Sequence, residues 1–539
     1  MSTSETSTGL RRDIGSIGLL FVSVGAVVGS GWLLSALPAA RMAGPASILA
    51  WVIGAAMIAL IGLVNAELGT MFPISGAVVR FPHFTHGSLT SVGIGWLSWL
   101  VAVSLGPVEV EAVLQYATNY LPFLTRVVDH VPVLTTAGYG VAAALLFVFC
   151  FINIFGIRYF ARLNAVLVVW KLGVIALLVA VFMWTAFDPG HFSAHGGFAP
   201  FGAHGVFAAI TSAGIAYSYF GFRQGVELAG ECRNPQRAVP LSILGTLGIT
   251  VILYALVQAA FIGALPDVAL TDGWAKLDFA NAFGPLAGVA QILGLFWLTA
   301  ILYADAIVSP ADTGLIYATT TARIAYAMGR SGNAPPALGN VSRRGVPWIS
   351  VIVTYVVGLL IFLPFPGWQK LAAFLVAAYI VAFGSGPVAV LALRRALPDQ
   401  HRPFRLPAAP LLAYLAFYAT SLLLYWVGWT TLWKMLTALI IGYVLYAIYR
   451  CLPGSPRPSM HILAGSWLPA WLLGMFAIAT IGNYGGAGWL TPATSFPLIA
   501  VFSAIVLWWG VINALPADGI RDQLDTTVAT EEAAPSAAT

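Results

Sequence analysis

The stretch GAVVGSGWLL, residues 25–34, interrupts the first apolar run of the chain with three glycines, Gly25, Gly29 and Gly31. A second stretch, YFGFRQGVE at 219–227, interrupts a later run with Gly221 and Gly225 and places Arg223 between them. In hydrocarbon, a helix that unwinds exposes N–H and C=O groups costing several kcal/mol each unless something polar meets them. Two such breaks at matching places therefore call for a common explanation.

Working outward, the 539 residues are 59% hydrophobic and only 8% charged, with a formal net charge of +5. Soluble domains carry about a quarter charged residues, so the composition indicates an integral membrane protein. Apolar runs near the roughly 20 residues needed to cross a bilayer recur from end to end, which favours helices over alternating barrel strands. About fourteen such runs are read by their length and breaks. The start, MSTSETSTGLRRD, lacks a signal-peptide pattern and reads as a cytoplasmic tail over 1–14.

Five spans read at about 15–41, 46–71, 91–120, 134–157 and 162–186, filling 15–187, and five more within 205–395, at about 205–230, 238–264, 285–328, 348–365 and 370–394. Five is odd, so the second group enters the membrane inverted, and the breaks fall in the first helix of each group. This is the inverted-repeat build of secondary transporters, with cargo held near mid-membrane at the broken helices 1 and 6. Four additional spans over 408–514 carry few charges and read as packing or assembly elements. The tail over 515–539 reads as disordered, because it cannot bury enough apolar surface to fold by itself.

Basic residues mark topology. Arg11, Arg12, Arg80, Arg158, Arg162, Arg233, Arg237, Arg330, Arg343, Arg344, Arg394, Arg395, Arg402, Arg405, Arg450, Arg457 and Arg521 fall on one side, against Arg41, Arg126, Lys276, Lys370 and Lys434 on the other. The positive-inside rule then puts both termini in the cytoplasm. The scatter of these residues excludes a nucleic-acid surface. Cys150, Cys232 and Cys451 suggest neither disulfide nor metal. Zincin, nucleophile-elbow, phosphate-loop and zinc-type spacings are absent, so no enzyme and no metal site is expected. His191, His195 and His204 fall in an outer loop and read as solvated surface, or else as sensors of external pH.

The candidate residues carry alternatives. Amides near Gly29, Ser30, Gly31 and Trp32 open the second half-helix and suit an anion; alternatively, Gly25 and Gly29 form a GxxxG packing face. Arg223 offers five donors to a carboxylate, or pairs with Glu227 one turn later, or reaches the interface. Lys171, in NAVLVVWKLGVIALLVAVF, lies about ten residues into its span. Burial disfavours a charged lysine whereas arginine does not titrate, so if one of the two moves protons it is Lys171; the other reading is an interfacial lysine. Glu67, Glu109, Glu111, Asp305 and Asp312 are membrane carboxylates, of which Glu109 and Asp305 are kept, with Glu227, as second-tier site residues.

GSGW in span one, AELGTMFPISGAVVRFP at 66–82, GECRNPQRAVP at 230–240 and ARIAYAMGRSGNAP at 322–335 resemble the amino acid, polyamine and organocation permeases over roughly 12–395. GSGWLLSALPAARMAGP, GFAPFG, DAIVSP and the C-terminal extension look most like the bacterial aspartate-proton symporters of that superfamily. The resemblance implies a five-plus-five core with cargo at the two breaks, and a proton-carrying lysine beside the first, a place that Lys171 matches. Many members carry GFE or GFD where this chain has Gly221, Phe222 and Arg223; the reversed charge implies an acidic substrate.

The expectation is therefore a proton-coupled importer of aspartate or glutamate in a bacterial inner membrane. The substrate α-carboxylate would lie on Ser30, Gly31 and Trp32, its ammonium on carbonyls near Tyr217 to Phe220, and its side chain on Arg223. The proton is the coupling ion and no other cofactor is expected; the partners are the amino acid and the lipid bilayer, with no nucleic acid, and the assembly a monomer or homodimer. A neutral amino acid permease or exchanger, a sensor and a channel are the competing classes.

Overall fold

The computed structural model describes residues 14–532 apart from 75, 129–130, 155–156, 280–283, 340–347 and 364–366. The first 13 residues, the last seven, and Arg11, Arg12, Arg343 and Arg344 lie outside it, as do the side chains of Arg158, Arg162 and Arg330.

Among the described residues, ten helices are long and apolar enough to cross a bilayer, and the bent pair Gly202–Ser212 and Tyr217–Glu227 makes an eleventh. This is fewer than the fourteen expected. Thr136–Ile154, Phe296–Arg330 and Trp348–Ile361 are helices where further spans were placed. The first and third are shorter apolar helices as far as they are described, and the second carries Asp305, Asp312 and several threonines. A second difference from an all-helical chain is a short antiparallel hairpin, Thr125–Val128 against Val131–Leu134, with Thr125 opposite Leu134. Its β-branched residues suit a strand pair.

The first break falls where the glycines predict it. Ser16–Val27 ends, residues 28–30 are irregular, and Gly31–Leu34 resumes. The second begins earlier than expected: Gly202–Ser212 stops at residues 213–216, where Gly214 takes φ +86°, a conformation that suits glycine. YSYFGFR then winds as a 3-10 helix, Tyr217–Arg223, and Gln224–Glu227 follows, the two halves meeting at 50°. Such a tight helix is uncommon beyond three or four residues and marks strain or a hinge.

The two breaks touch through their glycines. An added Cβ at Gly221 would lie 2.3 Å from the backbone nitrogen of Val27, and one at Gly31 would lie 2.1 Å from Ser218 Oγ. Only hydrogen at these positions lets the two backbones meet.

The C-terminal helices are fastened to this core. Glu67, fully buried, accepts from Arg394 Nε at 2.9 Å and Nη2 at 2.6 Å and from the Leu406 amide at 2.7 Å, with Arg402 Nε 3.4 Å away. The tail is not disordered over its described part: Ala517–Glu532 is a helix. It buries Ile520 against the rest of the protein, and Leu515 donates to the Thr85 carbonyl at 2.9 Å. The tail does not form a core by itself; it borrows an existing one.

Candidate functional site

Val28 ends the first half-helix and leaves the amide of Ser30 without a helical partner. That amide donates to Glu109 Oε2 at 2.9 Å. Tyr217, at the start of the 3-10 helix, donates its hydroxyl to Glu109 Oε1 at 2.8 Å. One carboxylate thus joins both breaks, and Pro107, two residues earlier in the helix Ala77–Ala117, lies inside the same long helix that brings it there. Trp368 Nε1 donates to Ser30 Oγ at 2.8 Å, and its ring meets Tyr217 edge-on at 5.7 Å. Glu109 occupies the position at the half-helix N-terminus expected for a substrate carboxylate, where amide and dipole favour negative charge.

Gly29, Glu109, Tyr217 and Phe220, with Tyr317, line a narrow cavity between the breaks. It has room for about one water, so an amino acid enters only if the walls separate. Trp32 is buried, and its Nε1 has no partner. The carbonyls of Tyr217 to Phe220, expected to be free, belong to the 3-10 helix here, whose i to i+3 bonding uses them.

Lys171 is fully buried, which removes the interfacial reading. Its Nζ donates to the Gly25 carbonyl at 2.9 Å and to Thr313 Oγ1 at 3.2 Å, and lies 2.7 Å from Asp312 Oδ2. Thr313 donates in turn to Gly25 O at 3.0 Å. Gly29 separates this node from Glu109: a Cβ there would meet Glu109 Oε1 at 2.8 Å and Thr313 at 2.9 Å. The GxxxG glycines therefore admit polar side chains on both sides of the break. Asp305, kept from sequence beside Glu109 as a second-tier candidate, is instead held by Trp170 Nε1 at 2.9 Å and Ser309 Oγ at 2.8 Å.

Arg223 does not line the cavity. Its Nε donates to Glu227 Oε1 at 2.9 Å, both side chains are 1% exposed, and the guanidinium lies 5.3 Å from the centre of the Tyr379 ring. Tyr379 also stacks on Phe220 at 4.4 Å, at the cavity wall. One guanidinium nitrogen, Nη2, and Glu227 Oε2 keep no hydrogen-bond partner. The pairing with Glu227 is thus the one formed in this conformation.

Sequence reasoning missed Asp312 as the partner of Lys171, together with Thr313, Trp368 and Tyr379. Asp312 had a signal: it lies seven residues, about two helical turns, after Asp305, so the two share a face. His191, read as solvated, is buried against the end of Pro235–Gly263.

The profile of the amino acid permease family matches residues 14–446. The glutamate/serine transporter AimA of Bacillus subtilis is 32% identical over 520 residues, covering 95% of this chain and 96% of that protein. The aspartate-proton symporter of the same organism is also 32% identical, over 93% of this chain and 96% of its own. The branched-chain amino acid permease BcaP of B. subtilis is 28% identical over 82% and 93%. With its many apolar helices, two broken ones packed together where glycines leave room and a match of this breadth, the chain belongs to the amino acid permease family, a group of multi-pass membrane transporters.

Proposed function

We propose that this permease imports an acidic amino acid, aspartate or glutamate, together with protons across a bacterial cytoplasmic membrane, with both termini inside. The observation that carries the reading is Lys171, a fully buried amine bound at once to the first break, through Gly25 O, and to the helix Phe296–Arg330, through Asp312 and Thr313. Protonated, it ties three helices together and supports the outward-facing arrangement; giving its proton to the cytoplasm releases them. Coupling then follows as a population shift, in which proton and substrate favour the same conformation and each helps the other bind by the same factor.

The core in this reading is two inverted groups of five helices. As the breaks part, the substrate carboxylate takes the Ser30 amide from Glu109, carbonyls near Tyr217 to Phe220 take the ammonium once the 3-10 helix loosens, and the free arm of Arg223 takes the side chain. The names of two relatives, a glutamate/serine transporter and an aspartate-proton symporter, support an acidic cargo. A second reading, a permease or exchanger for a neutral amino acid, is favoured by the Arg223–Glu227 pair, which leaves less charge for a substrate.

In proteoliposomes, labelled aspartate accumulates under an inward proton gradient and unlabelled glutamate competes. Accumulation that ignores the gradient removes the symport. Competition by neutral amino acids with none by aspartate or glutamate establishes the second reading.

A further inference from the structure

The loop that follows the helix Ile157–Thr185 folds back on the end of Pro235–Gly263. Asp188 donates its amide to the Gly263 carbonyl at 2.8 Å, and its Oδ1 accepts the Gly190 amide at 2.7 Å. His191, with a side chain 7% exposed, has Nδ1 3.0 Å from the Ile262 carbonyl. A carbonyl only accepts, so Nδ1 carries the hydrogen. In the neutral ring the other nitrogen, Nε2, points a lone pair at Asp267 Oδ1, 3.0 Å away, with Asp188 Oδ2 at 3.9 Å. Three acceptors facing one another need a positive charge among them.

We propose that His191 Nε2 and the carboxylates of Asp188 and Asp267 form a site for a divalent transition-metal ion of the zinc type. The three ligand atoms lie within 4.8 Å of one another; a tetrahedral ion with bonds of about 2.0–2.2 Å sets its ligands roughly 3.3–3.6 Å apart. The fourth position is open to water. A ligating histidine whose other N–H is held by a backbone carbonyl is the usual orienting arrangement, and the imidazole selects zinc, copper or nickel over calcium or magnesium. Because the ligands come from the loop after one membrane helix and the turn Asp267–Leu270 after another, an ion there ties the two helix ends together. It slows a transport cycle in which they part.

Titration of the purified full chain with Zn2+ in a calorimeter gives one equivalent bound. Asp267→Asn, whose side chain is 91% exposed and so leaves the fold intact, weakens binding by at least the ~10- to 100-fold that loss of an outer-sphere partner alone costs. His191→Ala and Asp188→Asn do the same. No Zn2+ uptake by the wild type, or equal affinity in Asp267→Asn, overturns the site: the charge at Nε2 is then a proton. Zn2+ applied to both faces of proteoliposomes slows uptake by the wild type and not by Asp267→Asn; bound Zn2+ that leaves uptake unchanged overturns the clamp. The calorimetric arm does not depend on which amino acid is carried.

Discussion

Replacing Gly221 with alanine puts a methyl carbon 2.3 Å from Val27 N and 2.5 Å from Ala26 C, where ordinary contact begins at 3.4 Å. The shortfall is about 1 Å, and the obstructing atoms are backbone, so no rotamer relieves it. The two broken helices must move apart. Val27 is also held from its other side, its carbonyl accepting the Tyr254 hydroxyl at 3.0 Å, so the displacement breaks or stretches that bond as well. Overpacking costs about 1–3 kcal/mol where side chains can shift, and here the upper end applies. About 3 kcal/mol changes the population of the closed arrangement by roughly 100-fold. Gly248→Ala is the control, since a Cβ there meets nothing within 4 Å in the helix Pro235–Gly263; removing a helical glycine is neutral or stabilising by up to about 1 kcal/mol. Both variants are compared with the wild type by thermal melting in detergent and by uptake in proteoliposomes at equal protein. Gly221→Ala melts lower and loses uptake while Gly248→Ala retains both. Wild-type melting and uptake in Gly221→Ala would refute the close approach of the two breaks.

Lys171→Gln removes the cation between Asp312 and Gly25, so uptake stops responding to the proton gradient while exchange of labelled for unlabelled substrate persists; a retained gradient response sinks the role given to the lysine. Adding Asp312→Asn to Lys171→Gln recovers part of the about 3–5 kcal/mol that an uncompensated buried charge costs, read as a higher melting temperature, without restoring coupling. Arg223→Ala abolishes aspartate uptake, whereas Glu227→Gln frees the guanidinium and lowers the aspartate concentration for half-maximal uptake; unchanged uptake in Arg223→Ala would show that the residue only neutralises Glu227. Glu67→Gln leaves Arg394 and Arg402 without their carboxylate, at a cost of about 3 kcal/mol, the low end because Arg394 is 20% exposed. The junction over 397–408 then becomes protease-sensitive, and resistance equal to wild type argues against the fastening.

The breaks were legible because glycines cluster in both apolar runs, joined in the second by an arginine. Their position was less so: Gly214 stands in SAGIAYS without a charged neighbour to draw attention, yet its positive φ starts the second break. Lys171 was legible as a lone charge among aliphatics. Its partner was not, because Asp312 lies 141 positions away and composition does not say which helices pack together. Glu109 was visible only as one of five acids; its place at the Ser30 amide depends on the packing of Ala77–Ala117 against both breaks. The Arg223–Glu227 pair could be read from spacing alone, being one helical turn apart. The hairpin 125–134 was read over because its strands are too short to compete with the apolar helices around them.

The Glu109 carboxylate also bears on how tightly this carrier can hold anything. A half-helix amide with no partner rewards an arriving anion with a whole hydrogen bond; one already bound to a resident carboxylate rewards it only with the difference between two similar bonds. Any carboxylate that reaches Ser30 must evict Glu109, and leaves again when Glu109 returns. In the proposed cycle, capture is then a swap between near-equals, which limits affinity, and the Ser30 amide keeps a partner whenever no substrate carboxylate is bound.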